Sequence, residues 1–218
     1  MSKIEEMIAR LCPDGVEYRE LGEIAELVRG NGLQKSDFRE SGVGCIHYGQ
    51  IYTYYGLFAH VTKSFVSNET ANKLKHVRKH DIIVTSTSEN IEDVCKPVVW
   101  LGGENIVTGG HAIIIRHKQD AKYLAYYLMS TDFANQKSRY ARGAKVIDVS
   151  VANLAKTRIP VPPLEIQQEI VRVLDSFTEL EAELEARRKQ YEHYRDHLLS
   201  FDALSRERER ESKVDHLG

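Results

Sequence analysis

No run of apolar residues approaches twenty in this 218-residue chain, so nothing in it reads as a membrane-spanning helix. The opening "MSKIEEMIARLC" lacks the basic and then apolar order of a secretory signal, and the chain is expected to be cytoplasmic. Cysteine is scarce. Cys12, Cys45 and Cys95 are odd in number and far apart, with no CxxC or Cys/His spacing. That speaks against a disulfide framework or a zinc cage and leaves reduced thiols in or near the core. An excess of either charge is missing too: the net charge is −2, so the total argues neither for nor against a polyanionic partner.

Catalytic signatures are equally thin. "GGENIVTGG" has no following Lys-Ser/Thr and reads as hairpin turns rather than a phosphate loop. No Asn/Asp-Pro-Pro-aromatic tetrapeptide of an amino-methyltransferase is present. His47, His60, His76, His80, His111 and His117 are scattered without ligand spacing. A metal nuclease wants clustered carboxylates near a lysine; Glu92 with Asp93, and Asp120 with Lys122, are the groupings available, and helix N-terminal charge accounts for Asp120. No catalytic residue, metal site or cofactor is assigned to this chain.

What is present is charge segregation. Lys137, Arg139, Arg142, Lys145, Lys156 and Arg158 fall in one stretch with a single acid, Asp148. "KLKHVRKH", from Lys73 to His80, has no acid at all, whereas Glu165 to Glu185 holds seven acids and one base, Arg172. Such segregation makes a local anion-binding surface or merely solvated faces.

The order of textures predicts an α+β fold. Ile4, Met7, Ile8 and Leu11 make one helical face, ended by "CPDG". "VEYRELGEIAELV" reads as strand then turn. From Gly30 to Arg116, β-type runs such as "GCIHYGQIY", "LFAHVTKSFV", "DIIVTST", "KPVVWL" and "HAIIIRH" follow one another without intervening regular helices. A mixed or antiparallel curled sheet with flanking helices fits them better than a βαβ parallel sheet. "DAKYLAYYLMSTDFANQKSRYA" predicts one helix, broken by Gly143, and a loop, a helical turn and a last strand lead to Pro160, Pro162 and Pro163.

Beyond the prolines a heptad repeat begins. Ile170, Phe177, Leu184, Tyr191 and Leu198 occupy position a; Val173, Leu180, Arg187, Tyr194 and Phe201 occupy d. All but Arg187 are apolar or aromatic, which argues for coiled-coil packing along a helix of roughly 50 Å. The chain is therefore divided into a globular domain over residues 1–160, a long coiled-coil helix over 161–204 and a charged tail over 205–218. The prolines restrict φ and push the residues before them into extended geometry, a joint that sets the angle between domain and rod.

Binding signals outweigh catalytic ones. Tyr52, Tyr54 and Tyr55, in an expected strand-loop context, pack in a core or reach bases and phosphates. "TSTSEN" offers Ser86, Thr87, Ser88 and Asn90, either an ordinary turn or a loop reading base edges. Arg139, Arg142, Gly143 and Lys145 combine cations with a glycine that permits close backbone approach. Gln34 and Lys35 are a further polar loop. All of these are expected on one face.

These residues carry a resemblance. "RIPVPPLEIQQEIVRVLDSF" followed by the heptad helix is similar to the conserved region of the specificity subunit of type I restriction-modification enzymes. "LCPDGVEYRELGEIAEL", "IHYGQIYTYYG", "LKHVRKHDIIVTSTSEN", "GGHAIIIRH" and "YLAYYLMS…YARGAKVIDVS" resemble one target-recognition domain of that family. The resemblance covers about residues 1–204. It implies a non-catalytic reader of one half-site in double-stranded DNA, docked to modification subunits that bind S-adenosylmethionine and methylate adenine, with a restriction motor-nuclease subunit beyond. Full-length members carry two recognition domains and two long helices; here one of each is found, so the chain is expected to be either a natural half-subunit or a piece of a longer subunit. The heptad stripe is expected to pair with that of a second copy in an antiparallel homodimer. A coiled-coil scaffold with a protein-binding domain is the alternative, and a small nuclease a third.

Overall fold

The computed structural model describes residues 2–143 and 145–201. In chain order it forms helix α1 (Lys3–Leu11), strand β1 (Tyr18–Glu20), the helical turn α2 (Leu21–Ile24), β2 (Ala25–Arg29), a 3-10 turn (Lys35–Asp37), β3 (Val43–Ile46) and α3 (Tyr48–Thr53). There follow β4 (Phe58–Ala59), β5 (Ser64–Val66), the turn α4 (Asn68–Ala71), β6 (Lys75–Val77), β7 (Ile82–Thr85), β8 (Thr87–Ser88), β9 (Pro97–Trp100), β10 (Ile106–Thr108) and β11 (Ala112–His117). Last come α5 (Ala121–Leu128), α6 (Thr131–Tyr140), β12 (Ile147–Asp148), α7 (Val151–Ala155), β13 (Arg158–Pro160) and the long α8 (Leu164–Leu199). The charged tail expected over 205–218 lies outside the described residues, as does the end of the 161–204 helix segment.

The α+β class holds. A five-stranded sheet runs β2-β11-β7-β9-β4, and a four-stranded sheet runs β5-β3-β10-β6. Pairing is mostly antiparallel, with parallel contacts at β3/β10 and β4/β9. The central strands β7 and β9 and most of β11 are buried on both faces, and strand alternation divides their side chains. Ile82, Val84, Val99, Ile113 and Ile115 join one cluster with Leu124, Leu128, Phe133 and Leu154 of the helices. Ile83, Val98, Trp100 and Ile114 point the other way, into a cluster with Ile51 of α3 and Ile46 and Ile106 of the second sheet.

Two local expectations are corrected. The tyrosine stretch is helix then turn rather than strand-loop: Tyr52 lies in α3, Tyr54 caps its end and Tyr55 follows it. His47 caps α3, its Nδ1 accepting from Gly49 N–H while Gln50 Oε1 accepts from His47 N–H. This reciprocal cap overrides the β preference of Tyr and Ile. The single helix expected over 120–141 is two, because Ser130 caps α6 through Phe133 N–H and divides it from α5.

Two units divide the chain, one closing at Val171 and the next opening at Arg172. The first turns of α8 thus belong to the first unit: Ile166 is fully buried, Val171 sits in the helix-side cluster, and Ile170 packs against it. The proline segment is anchored there by main-chain bonds. Val161 N–H donates to Glu17 O, Tyr123 Oη–H donates to Pro160 O, and Gln167 Nε2 donates to Pro162 O at 2.8 Å. Gln167 is fully buried, and its Oε1 also accepts from Asp120 N–H at 3.0 Å. Gln167→Leu would keep the volume and leave those two main-chain groups unpaired. Chemical denaturation is expected to register a loss of about 2 kcal/mol or more.

Candidate functional site

β7 and β11 are paired so that Thr85 stands opposite Ala112, which brings the residues just beyond, Ser86 and His111, together. Ser86 N–H donates to His111 O at 2.9 Å, and Thr87 Oγ1 lies 3.1 Å from His111 Nδ1. From the other side, α3 presents Tyr48 and Tyr52, four residues apart and hence on one helical face. The Tyr48 ring lies 4.8 Å from the His111 ring, and Tyr52 Oη–H donates to Thr87 O. A cleft of about 440 Å³ opens there, lined by Tyr48, Tyr52, Thr87, Ser88, Glu89, Asn90, Asp93, His111 and Val146.

The basic loop meets this cleft through a short ladder. β12 pairs with β8, Ile147 opposite Ser88 and Asp148 opposite Thr87, and Val149 N–H donates to Ser86 O. Arg142 bridges to Asp148 across the turn, in which Gly143 adopts φ +115°. A Cβ at Gly143 would come within 2.0 Å of Val146 O, so the turn needs glycine. Arg29 adds a cation beside it, 3.7 Å from the Asp148 carboxylate. Lys35 and His111 both bear on His47, whose pKa is held below the usual 6.5 first by burial and then by those two neighbours.

The residues singled out by sequence divide accordingly. Tyr52, Thr87, Ser88 and Asn90 line the cleft, Arg139, Arg142, Gly143 and Lys145 are exposed on the adjoining helix end and loop, and Gln34 and Lys35 are exposed near His47. Ala144 lies outside the described residues. Tyr55 is a core residue whose Oη accepts from Lys63 N–H, and Tyr54 is exposed beyond the cleft under the Lys63 ammonium, 4.5 Å from its ring. Ser86 is fully buried and faces no surface. Lys137, counted in the basic stretch, is turned inward onto Glu92 O and Val94 O.

Several cleft groups are already engaged. The Asn90 amide is held at both ends by Asp93: Nδ2 donates to Oδ2 and Oδ1 accepts from the Asp93 N–H, each at 2.8 Å. Arg142 Nη1 donates to the Arg139 and Ala141 carbonyls, each at 2.9 Å, bracing the loop. Sequence reasoning missed Tyr48, Glu89, His111 and Val146. Tyr48 was findable, since His47 and Gln50 carry a cap signal and the four-residue spacing to Tyr52 follows from it. Chemically, the cleft combines aromatic faces with hydroxyl, carboxylate and imidazole groups and a basic rim, a set suited to planar, hydrogen-bonding, anionic ligands. The core thiols take no part: burial pushes Cys45 and Cys95 up to about 12. Among the described residues, no three His, Cys, Asp or Glu side chains are grouped to hold a metal ion.

The fold and cleft define an α+β domain with a paired-loop binding face, running into a long helix. The chain belongs to the type I restriction modification DNA specificity domain family, whose model matches residues 13–191. It is 28% identical over 205 residues to a protein of Haemophilus influenzae named as a type I restriction enzyme specificity subunit, covering 88% of this chain and 48% of that one. It is 50% identical over 62 residues to the EcoR124I/EcoR124II specificity subunit of Escherichia coli, covering 23% of this chain and 15% of that one. The fold is that of the HsdS subunit from Thermoanaerobacter tengcongensis, with a TM-score of 0.59 at 18% identity over 84% of this chain and 44% of that one. The chain thus spans about half the length of the Haemophilus relative and of the solved subunit.

The lowered His47 pKa gives a pH test. Nδ1 must stay unprotonated to accept from Gly49 N–H, and a depressed folded pKa penalises protonation. The stabilisation is full above the unfolded value near 6.5 and is lost as pH falls from there through the lowered folded value. His47→Asn keeps a cap that does not titrate. Between pH ~7.5 and ~5.5 the wild-type melting temperature is expected to fall further than that of the variant.

Proposed function

We propose that this domain is the DNA-reading part of a type I restriction-modification specificity subunit, recognising one specific half-site in double-stranded DNA. One observation carries the reading. The β8/β12 ladder joins Thr87 and Ser88 to Ile147 and Asp148, Thr87 to Asn90 and Val146 open on one aromatic-lined cleft, and the exposed Lys145 adjoins Val146 in sequence, with Arg139 exposed in the last turn of α6. The cations neutralise phosphates and position the domain, while side chains in the cleft meet base edges. Glu89 and His111 join Thr87 and Ser88 as base-facing groups, and Tyr48 and Tyr52 supply flat faces beside them. The domain performs no chemistry of its own. S-adenosylmethionine and adenine methylation belong to modification subunits docked on it, cleavage to a further motor-nuclease subunit, and the assembly works in the cytoplasm. Arg139→Glu with Lys145→Glu is expected to weaken binding to all duplexes and to lower the slope of log affinity against log salt by about one to two. Unchanged affinity and slope would favour a protein-binding scaffold instead.

We further propose that α8 pairs with the same helix of a second copy, antiparallel. From Phe177 onward the a/d side chains are in water: Leu180 is 58% exposed, Leu184 68% and Tyr191 65%. An apolar stripe of that length calls for a partner helix. In an antiparallel register each a residue of the stripe meets a d residue of the other copy: Phe177 with Tyr194, Leu180 with Tyr191 and Leu184 with Arg187, with Val173 facing Leu198 at its end, while Ile170 is already packed on its own domain. Glu181 then flanks Arg188 of the second copy, and the two Arg187 side chains fall in separate layers. A parallel pair would stack Arg187 on Arg187. Within one helix the charges already pair along the surface, Glu183 with Arg187 and Glu185 with Lys189. A two-fold pair of reading domains would recognise an inverted repeat. Sedimentation at tens of micromolar is expected to give a dimer, converted to monomer by Leu184→Glu. A monomeric wild type would remove the pairing, and a non-palindromic methylation motif would remove the inverted repeat.

A further inference from the structure

The loop between β7 and β9 is held differently from the rest of the domain. Its outgoing half, Thr87 to Asn90, lines the cleft. Its returning half runs over a second cavity of about 410 Å³ on the α6 side, lined in part by Glu92, Asp93, Cys95 and Lys137. Asp93 borders both spaces, while its neighbours Ile91 and Val94 pack into the helix-side cluster. Among the residues lining the second cavity is Lys137 of α6. It is 7% exposed, and its Nζ donates to Glu92 O at 2.7 Å and Val94 O at 2.8 Å.

Those two carbonyls flank Asp93, and Asp93 is the residue to which the loop tip is tied. Its carboxylate and N–H hold the Asn90 amide, and its carbonyl accepts from Thr85 Oγ1 at 3.1 Å. Asn90 N–H in turn donates to Ser88 Oγ. A chain of hydrogen bonds therefore leads from the Lys137 ammonium to the cleft wall without Lys137 itself lining the cleft. The same helix carries Arg139 in its last turn, ends at Tyr140 and runs into the Arg142–Gly143 turn, so α6 reaches the reading loop twice, at its back through Lys137 and at its front through β12.

We infer that Lys137 is a positioning residue for sequence discrimination: it sets the depth of the 87–94 loop, and so the placement of Thr87 to Asn90 against the bases, without contacting DNA. This rests on the DNA-reading function proposed above. A buried ammonium is costly unless it is hydrogen-bonded, and here both of its bonds are to main-chain carbonyls of the loop, one on each side of Asp93. A lysine aimed at two main-chain carbonyls holds the loop whatever side chains the loop carries.

The test uses the full chain with two variants. Lys137→Met keeps the stem and removes the donors. Lys137→Arg restores donors, with the adjacent cavity accepting its greater bulk. Hydrogen exchange without DNA is the first arm. In Lys137→Met the amides of Asn90 and Asp93 are expected to exchange about tenfold faster or more, with strand amides of β7 and β11 unchanged, and Lys137→Arg is expected to recover most of the protection. The second arm takes the half-site defined by methylation mapping and measures affinity for it against duplexes carrying one altered base pair. Lys137→Met is expected to lower that ratio about tenfold while non-specific affinity holds. A merely structural lysine would lower both affinities together. Unchanged loop exchange overturns the proposal, and so does faster loop exchange with an undiminished ratio. Should Lys137→Met fail to fold, Lys137→Gln, with a shorter stem and a neutral amide in place of the ammonium, carries the same two measurements. A wild-type chain that binds no duplex selectively overturns the DNA-reading function instead, and the exchange arm still decides whether Lys137 holds the loop.

Discussion

The register of β7 against β11 is the constraint on which the rest depends. Both strands are buried on both faces, so neither can slip by one residue without exchanging Ile82 and Val84 for Ile83, or Ile113 and Ile115 for Ile114, between two filled clusters. With Thr85 thus fixed opposite Ala112, Ser86 must meet His111, and Thr87 emerges beside the imidazole. The next strand over, β2, ends against the same place. Gly30 N–H donates to Ala112 O, and its backbone passes so close to Gly109 that a Cβ there would lie 2.0 Å from the Gly109 carbonyl oxygen. The cleft is therefore a consequence of core packing: three strand ends are brought to one edge, and α3, seated by Ile51, supplies the opposite wall.

The fold class, the strand-rich stretch over 30–116 and the long helix were legible because they rest on periodicity, which sequence displays directly. The joining of "TSTSEN" to "YARGAKVID" was legible only as an expectation that polar loops share a face. The β8/β12 ladder that makes the join, two residues long on each side, carries no periodic signal. Tyr55 and Ser86 show the opposite limit. Both sit among residues of the same type that do face the cleft, and burial alone separates them from Tyr52 and Thr87. Lys137 was hidden for a related reason: a lysine two residues before Arg139 looks like the same basic patch, yet the two stand far apart in angle on α6 and one of them is swallowed. The α3 helix was concealed by its own composition, since Tyr and Ile read as strand until the His47–Gln50 cap is taken as the stronger signal.

Charge tells a similar story at closer range. The six cations from Lys137 to Arg158 do not act as one patch. Lys137 is internal; Arg158 reaches Tyr18 O on the β1/β13 pair; Arg142 braces its own turn. Arg139, Lys145 and Lys156 remain as exposed cations, of which Lys145 adjoins Val146 of the cleft wall, with Arg29 partly committed to Asp148. A linear count of basic residues thus overstates the positive surface. The count that matters is of cations whose hydrogen bonds are not already taken by main-chain carbonyls.

The division of labour within the domain follows from how each part is held. The strands and helices are fixed by buried aliphatic contacts, where a change of one methylene is felt throughout. The cleft loop is fixed by hydrogen bonds to main-chain groups: Tyr52 to Thr87 O, Val149 to Ser86 O, Lys137 to Glu92 O and Val94 O. Main-chain carbonyls are present whatever side chains a loop bears. The loop's own side chains add a second set of ties, Thr87 Oγ1 to His111, Ser88 Oγ to Asn90 N–H and the Asn90 amide to Asp93, so exchange within 87–90 would cost hydrogen bonds in the loop while leaving the main-chain anchors and the aliphatic core behind them in place.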